Sequence, residues 1–124
     1  MMKVTIIAPE GLKEKYLREA ADEYMKRLRG FCDLKIAEFS PFKLPEKPSA
    51  AQIAAALDRE AEQILKKIPE GSRTAALCIE GKMLSSEELA AEIRTADNSG
   101  TPFTFIIGSS HGLAEQVKKT ADMR

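Results

Sequence analysis

The sequence has no tryptophan, two cysteines and one histidine among its 124 residues. Cys32 and Cys78 are far apart in the chain and belong to no C-x-x-C pattern. A structural zinc site needs several cysteine or histidine ligands at short, regular spacings. This composition therefore argues against such a site, and we expect no metal cofactor.

Net charge and long apolar runs are missing as well. Lys plus Arg and Asp plus Glu each total 19, so the net charge does not indicate a nucleic-acid partner. It does not exclude one, because charge segregated on one face does not appear in the sum. The apolar run near the N-terminus is too short for a signal peptide or a membrane span. We therefore expect a cytoplasmic protein with no membrane partner.

The chain also lacks the phosphate-binding patterns G-x-G-x-x-G and G-x-x-x-x-G-K-[ST]. Their absence argues against a flavodoxin-like or phosphate-binding domain that would use the start of the helix after Gly112. A domain of that kind would bind a phosphate-bearing ligand, and we favour this function least among those that the sequence suggests.

The length and the hydrophobic periodicity predict a single α/β domain over residues 1–124. Apolar runs predict strands, and apolar residues at helical spacing predict helices, in the order βαβαβαβα. The predicted strands are residues 4–8, 31–39, 73–79 and 101–107, and the predicted helices begin near residues 12, 50, 86 and 113. Alternation of this kind implies a mostly parallel sheet that is covered by helices on both faces.

Local signals mark several boundaries of these elements. Ser49 with Gln52, and Ser85 with Glu88, have the form of capping boxes at the starts of the second and third helices. Gly30 has the position of a C-terminal cap for the first helix. The apolar stripe of that helix, which includes Tyr16, Leu17, Tyr24 and Met25, is expected to pack in the core.

The position of each strand in the sheet is a further expectation. The second strand alternates apolar and polar residues and is expected near an edge. The third is a continuous apolar run and is expected to be central. Residues 122–124 follow the last helix, and we expect them to supply no closing strand.

Two glycine-containing turns stand out because each follows a predicted strand. Residues 108–112 form a turn bounded by Gly108 and Gly112, and Gly81 lies in a turn that precedes a capped helix. Open α/β sheets bind their ligands at the carboxyl ends of strands, where glycines allow close approach of the backbone. Either turn alone is a weak signal, because many strand-to-helix turns bind nothing.

Together the two stretches resemble a known family. Residues 81–90, GKMLSSEELA, and residues 105–113, FIIGSSHGL, are similar to the signature runs of the ribosomal RNA large subunit methyltransferase H family, of the SPOUT class. Residues 11–16 and 60–65 resemble the same family in place and character. The resemblance extends over the whole chain.

The resemblance implies a fold, an activity and a set of site residues. The implied fold is a small α/β domain with a trefoil knot, which works as a homodimer. The implied activity is methyl transfer from S-adenosylmethionine to N3 of a pseudouridine in 23S rRNA. The positions that match the family's cofactor contacts are Leu77 and Gly108, and those expected to shape the same pocket are Gly81, Gly112 and Leu113.

Two departures from the family pattern qualify these expectations. The family usually has Gly-Gly where this chain has Gly108 and Ser109. The family also continues beyond the position of Arg124 with a segment that threads the knot and supplies a third cofactor loop. We therefore expect a chain truncated at its C-terminus, with weak or absent catalysis. The alternative is a non-catalytic fragment or interaction module of the same fold, which associates through exposed apolar surface.

No catalytic base can be assigned from the sequence. Glu80 and His111 are the candidates for that base close to the two turns in sequence. A plain turn residue is the more common role for His111, and a surface carboxylate for Glu80. Cys78 is better explained as a small buried apolar residue than as a nucleophile.

Overall fold

A computed structural model describes residues 1–11 and 14–124 of the chain. Strands and helices alternate along these residues. This order confirms the βαβαβαβα prediction. The elements are β1 (Lys3–Pro9), α1 (Lys15–Leu28), β2 (Asp33–Phe39), α2 (Ala50–Lys67), β3 (Arg73–Leu77), α3 (Ser86–Asn98), β4 (Phe103–Ile107) and α4 (Glu115–Thr120).

The four strands form one parallel sheet in the order β2-β1-β4-β3. Val4 of β1 lies opposite Leu34 of β2 on one side and Phe103 of β4 on the other. The parallel sheet confirms the predicted fold class, and the edge position of β2 confirms the expectation from its alternating pattern. The central strands are β1 and β4.

The prediction that β3 is central was wrong, because β3 is the last strand in the order and pairs with β4 on one side only. Its other side is bordered by the last residues of the chain, where Met123 forms a single parallel bridge with Ala75. The Ala76 amide donates to the Met123 carbonyl at 2.9 Å, and the Met123 amide donates to the Thr74 carbonyl at 3.1 Å. A continuous apolar run indicates burial of both faces, and it does not require a full strand on each side.

Residues 122–124 form no strand of their own, but they do border β3 through this isolated bridge. The Asp122 carboxylate accepts from the Thr74 amide at 2.7 Å and from the Thr74 hydroxyl at 3.2 Å. The Lys82 amide donates to the Arg124 carbonyl at 2.9 Å. These hydrogen bonds attach residues 122–124 to β3 at one end and to the turn after β3 at the other.

Both predicted capping boxes are confirmed. The Ser49 hydroxyl accepts a hydrogen bond from the backbone N–H of Gln52, and the Gln52 side-chain oxygen accepts one from the backbone N–H of Ser49. Ser85 and Glu88 form the same reciprocal pair. Each box satisfies two N–H groups that have no partner inside the helix, and a cap of this kind stabilises a helix by about 1 kcal/mol. The start of α3, directly after the Gly81 turn, is thereby fixed.

The predictions for the first helix were partly wrong. No residue of α1 is buried, and Tyr16 and Tyr24 are 68% and 64% exposed. The core clusters draw their helical residues from α2, α3 and α4, so the apolar stripe of α1 does not pack in the core. Gly30 does not have a positive φ, and the helix ends instead at Arg29 in right-handed conformation. The predicted start near Leu12 falls on residues 12 and 13, which lie outside the described residues.

Side chains pack on both faces of the sheet in two clusters. Ile106 of β4 is fully buried with Ile64 of α2 and Val117 of α4. Phe103 of β4 belongs to the other cluster, with Ala96 of α3. Successive residues of a strand point to opposite faces, so the two clusters confirm a sheet that is buried on both sides.

Substitution of Ile106 by alanine tests the placement of the core. The buried side chain leaves a cavity, so Ile106→Ala is expected to lower the free energy of unfolding by about 2–5 kcal/mol. Ile79→Ala makes the same change at a fully exposed position and is expected to cost less than about 0.5 kcal/mol. Urea denaturation followed by circular dichroism measures both. Equal losses for the two variants would contradict the assigned core.

Candidate functional site

The turns that follow β3 and β4 enclose a cleft at the carboxyl edge of the sheet. The last residues of the two strands, Leu77 and Ile107, are paired side by side. The cleft between the turns has a volume of about 350 Å³ and is lined by residues 77–80 and 107–113 and by Lys118 of α4. This is the location at which open parallel sheets bind ligands.

Gly108 and Gly112 are required in the second turn for different reasons. A Cβ atom on Gly108 would lie 2.4 Å from the Gly112 carbonyl oxygen, closer than side-chain atoms approach backbone. Gly112 has a φ of +89°, a conformation that is strained for residues with a side chain. The Gly112 amide donates to the Ser109 carbonyl at 2.9 Å and closes the turn. The narrow turn leaves its backbone close to the cleft.

Gly81 has a related role in the first turn. A Cβ atom there would lie 2.6 Å from the carbonyl carbon of Arg124. The Gly81 amide donates to the Cys78 carbonyl at 3.1 Å. Gly81 is not among the described residues that line the cleft; it lies in the first turn and packs against the backbone of Arg124.

The other predicted site residues line the cleft directly. Leu77 is 55% exposed at the end of β3. Leu113 is buried and also belongs to the core cluster beneath the cleft. Leu77, Gly108, Gly112 and Leu113 are thus brought together around one cleft, although β3 and β4 are separated in the chain by α3.

Lys118 and Glu80 form an ion pair within the cleft. The Lys118 ammonium contacts the Glu80 carboxylate and lies 3.8 Å from the Glu115 carboxylate. The hydrogen bond from Lys118 lowers the pKa of Glu80 below its ordinary value, and the same bond raises the pKa of Lys118. At neutral pH the cleft therefore holds a protonated lysine and an ionised glutamate.

Glu80 could be recognised from its place beside Gly81 in the sequence, whereas Lys118 could not. The only local signal was the spacing of Glu115 and Lys118 on one face of α4, which is common on solvated helices. The contact with Glu80 joins two distant parts of the chain and depends on the fold.

The remaining titratable groups of the cleft are His111 and Cys78. His111 is exposed in the second turn. Burial raises the pKa of the Cys78 thiol, and the Glu80 carboxylate raises it further. The thiol is therefore protonated at neutral pH, which argues against a nucleophilic role.

A larger cleft, of about 650 Å³, lies where β1 and β2 begin. Lys3, Met25, Arg29 and Asp33 are among its lining residues. It faces the amino ends of the strands and contains none of the glycine turns, so it lacks the features that place ligands in parallel sheets.

Among residues 1–11 and 14–124, no cluster of three or more His, Cys, Asp or Glu side chains is arranged to hold a metal ion. No helix in the same part of the chain is long and apolar enough to cross a membrane.

Comparison with known proteins gives a family match over almost the whole chain. A family described as "Predicted SPOUT methyltransferase" matches residues 2–124. The ribosomal RNA large subunit methyltransferase H of Alkaliphilus oremlandii is 45% identical over 124 residues, and that of Ligilactobacillus salivarius is 44% identical. The protein of the same name from Lactococcus lactis subsp. cremoris is 39% identical. Each alignment covers 99% of this chain and 78% of the relative.

Replacement of Lys118 tests the ion pair in the cleft. Lys118→Met removes the hydrogen bond that lowers the pKa of Glu80, so that pKa is expected to rise toward 4.5. The pair is expected to stabilise the fold fully between pH 4.5 and pH 10.5, the ordinary pKa values of its two groups. Its contribution is lost as the pH falls through the lowered pKa of Glu80 or rises through the raised pKa of Lys118.

The measurement is an NMR titration of the Glu80 carboxyl carbon. Lys119→Met, at the exposed neighbouring position, serves as the matched control and is expected to leave the Glu80 pKa unchanged. An identical Glu80 pKa in the native chain and in Lys118→Met would show that the pair does not form in solution.

Proposed function

The chain belongs to the SPOUT methyltransferase family, and we propose that it is an S-adenosylmethionine-dependent methyltransferase that acts on ribosomal RNA. The finer proposal is methylation of N3 of a pseudouridine in 23S rRNA. The three relatives share the name ribosomal RNA large subunit methyltransferase H, which supports large-subunit ribosomal RNA as the substrate. The position on the base follows from the resemblance of residues 81–90 and 105–113 to that family. The observation that carries the proposal to this structure is the cleft at the carboxyl ends of β3 and β4.

We place S-adenosylmethionine in that cleft. Leu77 is half exposed and offers apolar surface, the buried Leu113 also lines the cleft, and the turn between Gly108 and Gly112 brings backbone groups to its edge. Gly81 contributes indirectly, because it allows the first turn to pack against residues 122–124. Backbone N–H and C=O groups suit the edge of an adenine ring, which carries no charge.

The chemistry that the cofactor supplies is an electrophilic methyl group on a sulfonium sulfur. The residues of the cleft would hold this group against the acceptor nitrogen, and positioning of that kind lowers a barrier substantially. The N3–H of pseudouridine is weakly acidic, so negative charge develops on the ring as the proton leaves. The Lys118 ammonium, which is protonated at neutral pH, is suited to stabilise that charge.

Glu80 is a poor candidate for the general base. Its pKa is lowered by Lys118, and a carboxylate with a lowered pKa accepts protons weakly at neutral pH. We therefore propose that Glu80 orients Lys118 and does not act as the general base.

The proposal includes a homodimer in the cytoplasm, built from a single domain over residues 1–124. Ile79 and Met83 are almost fully exposed on the first turn, beside the cleft, and offer apolar surface for a second copy. Lys82 lies exposed between them, where a cation can contact an RNA phosphate.

The same exposed residues support one alternative function, a non-catalytic interaction module. On that hypothesis Ile79 and Met83 bind a protein partner and the cleft holds no cofactor. The methyltransferase is expected to bind S-adenosylhomocysteine, the product that the cofactor leaves after methyl transfer, whereas the interaction module is not.

Calorimetric titration with S-adenosylhomocysteine tests the proposed function. We expect saturable binding by the native chain, and Gly108→Ala is expected to weaken it by about tenfold or more, because the new Cβ forces the turn to move. Gly30→Ala is the matched control: its Cβ meets no atom within 4 Å and its φ is not positive, so binding is expected to be unchanged.

Thermal unfolding of each variant shows whether it is folded at the titration temperature. Failure of the folded native chain to bind S-adenosylhomocysteine would contradict the placement of the cofactor and favour the interaction module. Transfer of a radiolabelled methyl group to 23S rRNA in ribosomal particles tests the reaction itself.

A further inference from the structure

Glu60 is the one charged side chain that is buried in the part of the chain that the structure describes. It lies on α2 and is 3% exposed. Burial of a carboxylate is costly unless hydrogen bonds replace the water that it loses. The partners of Glu60 therefore indicate what its burial achieves.

Each carboxylate oxygen of Glu60 accepts a hydrogen bond from a different loop. The Phe42 amide donates to Oε2 at 2.8 Å, and the Ser109 hydroxyl donates to Oε1 at 2.7 Å. No lysine or arginine within residues 1–11 and 14–124 forms an ion pair with it. One carboxylate thus joins the loop after β2 to the turn after β4.

Neighbouring side chains fix residues 40–42, which we call the proline-loop segment. Gln63 of α2 accepts from the Ser40 amide at 2.9 Å and donates to the Ser40 carbonyl at 3.0 Å. The Arg59 guanidinium lies 5.2 Å from the centre of the Phe42 ring. Of the three α2 side chains that contact this segment, Glu60 alone also bonds the second turn.

We propose that Glu60 is a positioning residue that couples the proline-loop segment to the turn at residues 108–112. A ligand in the cleft then orders both segments, and loss of either hydrogen bond loosens both. The identity of that ligand rests on the proposed function, whereas the coupling itself can be tested without any ligand.

The physical basis is that Ser109 lies in a turn with little freedom. Gly108 before it is packed against the Gly112 carbonyl, so displacement of Ser109 displaces the backbone that lines the cleft. Contacts that favour one arrangement of the turn therefore favour one orientation of the Glu60 carboxylate, and with it the hydrogen bond to Phe42. Coupling of this kind acts equally in both directions.

Three substitutions separate the coupling from general stability. Ser109→Ala removes one hydrogen bond and leaves Phe42 untouched. Glu60→Leu removes both bonds. Glu60→Gln retains both, because its oxygen can accept from the Phe42 amide while its nitrogen donates to the Ser109 hydroxyl. Glu62→Leu makes the leucine change at an exposed glutamate of the same helix and is the matched control.

Amide hydrogen exchange measured by NMR on the ligand-free chain is the first test. Ser109→Ala is expected to speed exchange of the Phe42 amide by about three- to tenfold, although that amide lies in another loop. Glu60→Leu is expected to speed exchange in both segments. Glu60→Gln and Glu62→Leu are expected to retain native rates in both.

The second test adds S-adenosylhomocysteine and S-adenosylmethionine. The ligand is expected to slow exchange of the Phe42 amide in the native chain and not in Glu60→Leu. The dissociation constant for S-adenosylhomocysteine is expected to rise in Glu60→Leu and to stay near the native value in Glu60→Gln, because only the glutamine retains the hydrogen bond that arranges the turn.

The outcomes distinguish the coupling from the proposed function. Unchanged exchange of Phe42 in Ser109→Ala, with effects of Glu60→Leu confined to one segment, would overturn the coupling. Absence of ligand binding by the native chain would overturn the proposed function, and the ligand-free exchange rates would still decide the coupling.

Discussion

The pairing of β3 with β4 determines where every feature of the candidate site lies. These strands run parallel and end together at Leu77 and Ile107, so the chain must turn twice at the same edge of the sheet. The two turns are narrow because Gly108 and Gly81 admit backbone where a side chain would collide. Between them lies a cleft lined by the backbone of the two turns, by apolar side chains such as Leu77, and by the ion pair of Lys118 with Glu80. Such a cleft suits a ligand recognised by shape and by peptide groups, as proposed for S-adenosylmethionine.

Features set by neighbouring residues in the chain were predictable from the sequence. The capping boxes at Ser49 and Ser85, the order of elements and the turn between Gly108 and Gly112 depend on short-range chemistry, and the structure contains all of them. The predicted contacts of Leu77 and Gly108 with a cofactor remain a prediction, although the structure brings both residues to one cleft.

Features set by distant residues were not predictable in the same way. An apolar stripe on α1 shows that one face differs from the other, and it does not show which surface covers that face. The apolar run of β3 likewise shows burial without showing position in the sheet. Lys118 and Glu60 act through partners in other elements, Glu80 and Ser109, and no local pattern relates these pairs. Ser109 stands where the family usually has glycine, and its hydroxyl donates the hydrogen bond that the Glu60 carboxylate accepts.

Binding of the cofactor in the cleft at the carboxyl edge of the sheet can be observed by a two-dimensional NMR titration with S-adenosylhomocysteine. We expect the largest amide shift changes at residues 77–80 and 107–113, which line the cleft, with smaller changes transmitted to Phe42. Shift changes concentrated instead around Met25, Arg29 and Asp33, at the amino ends of the strands, would contradict binding in this cleft.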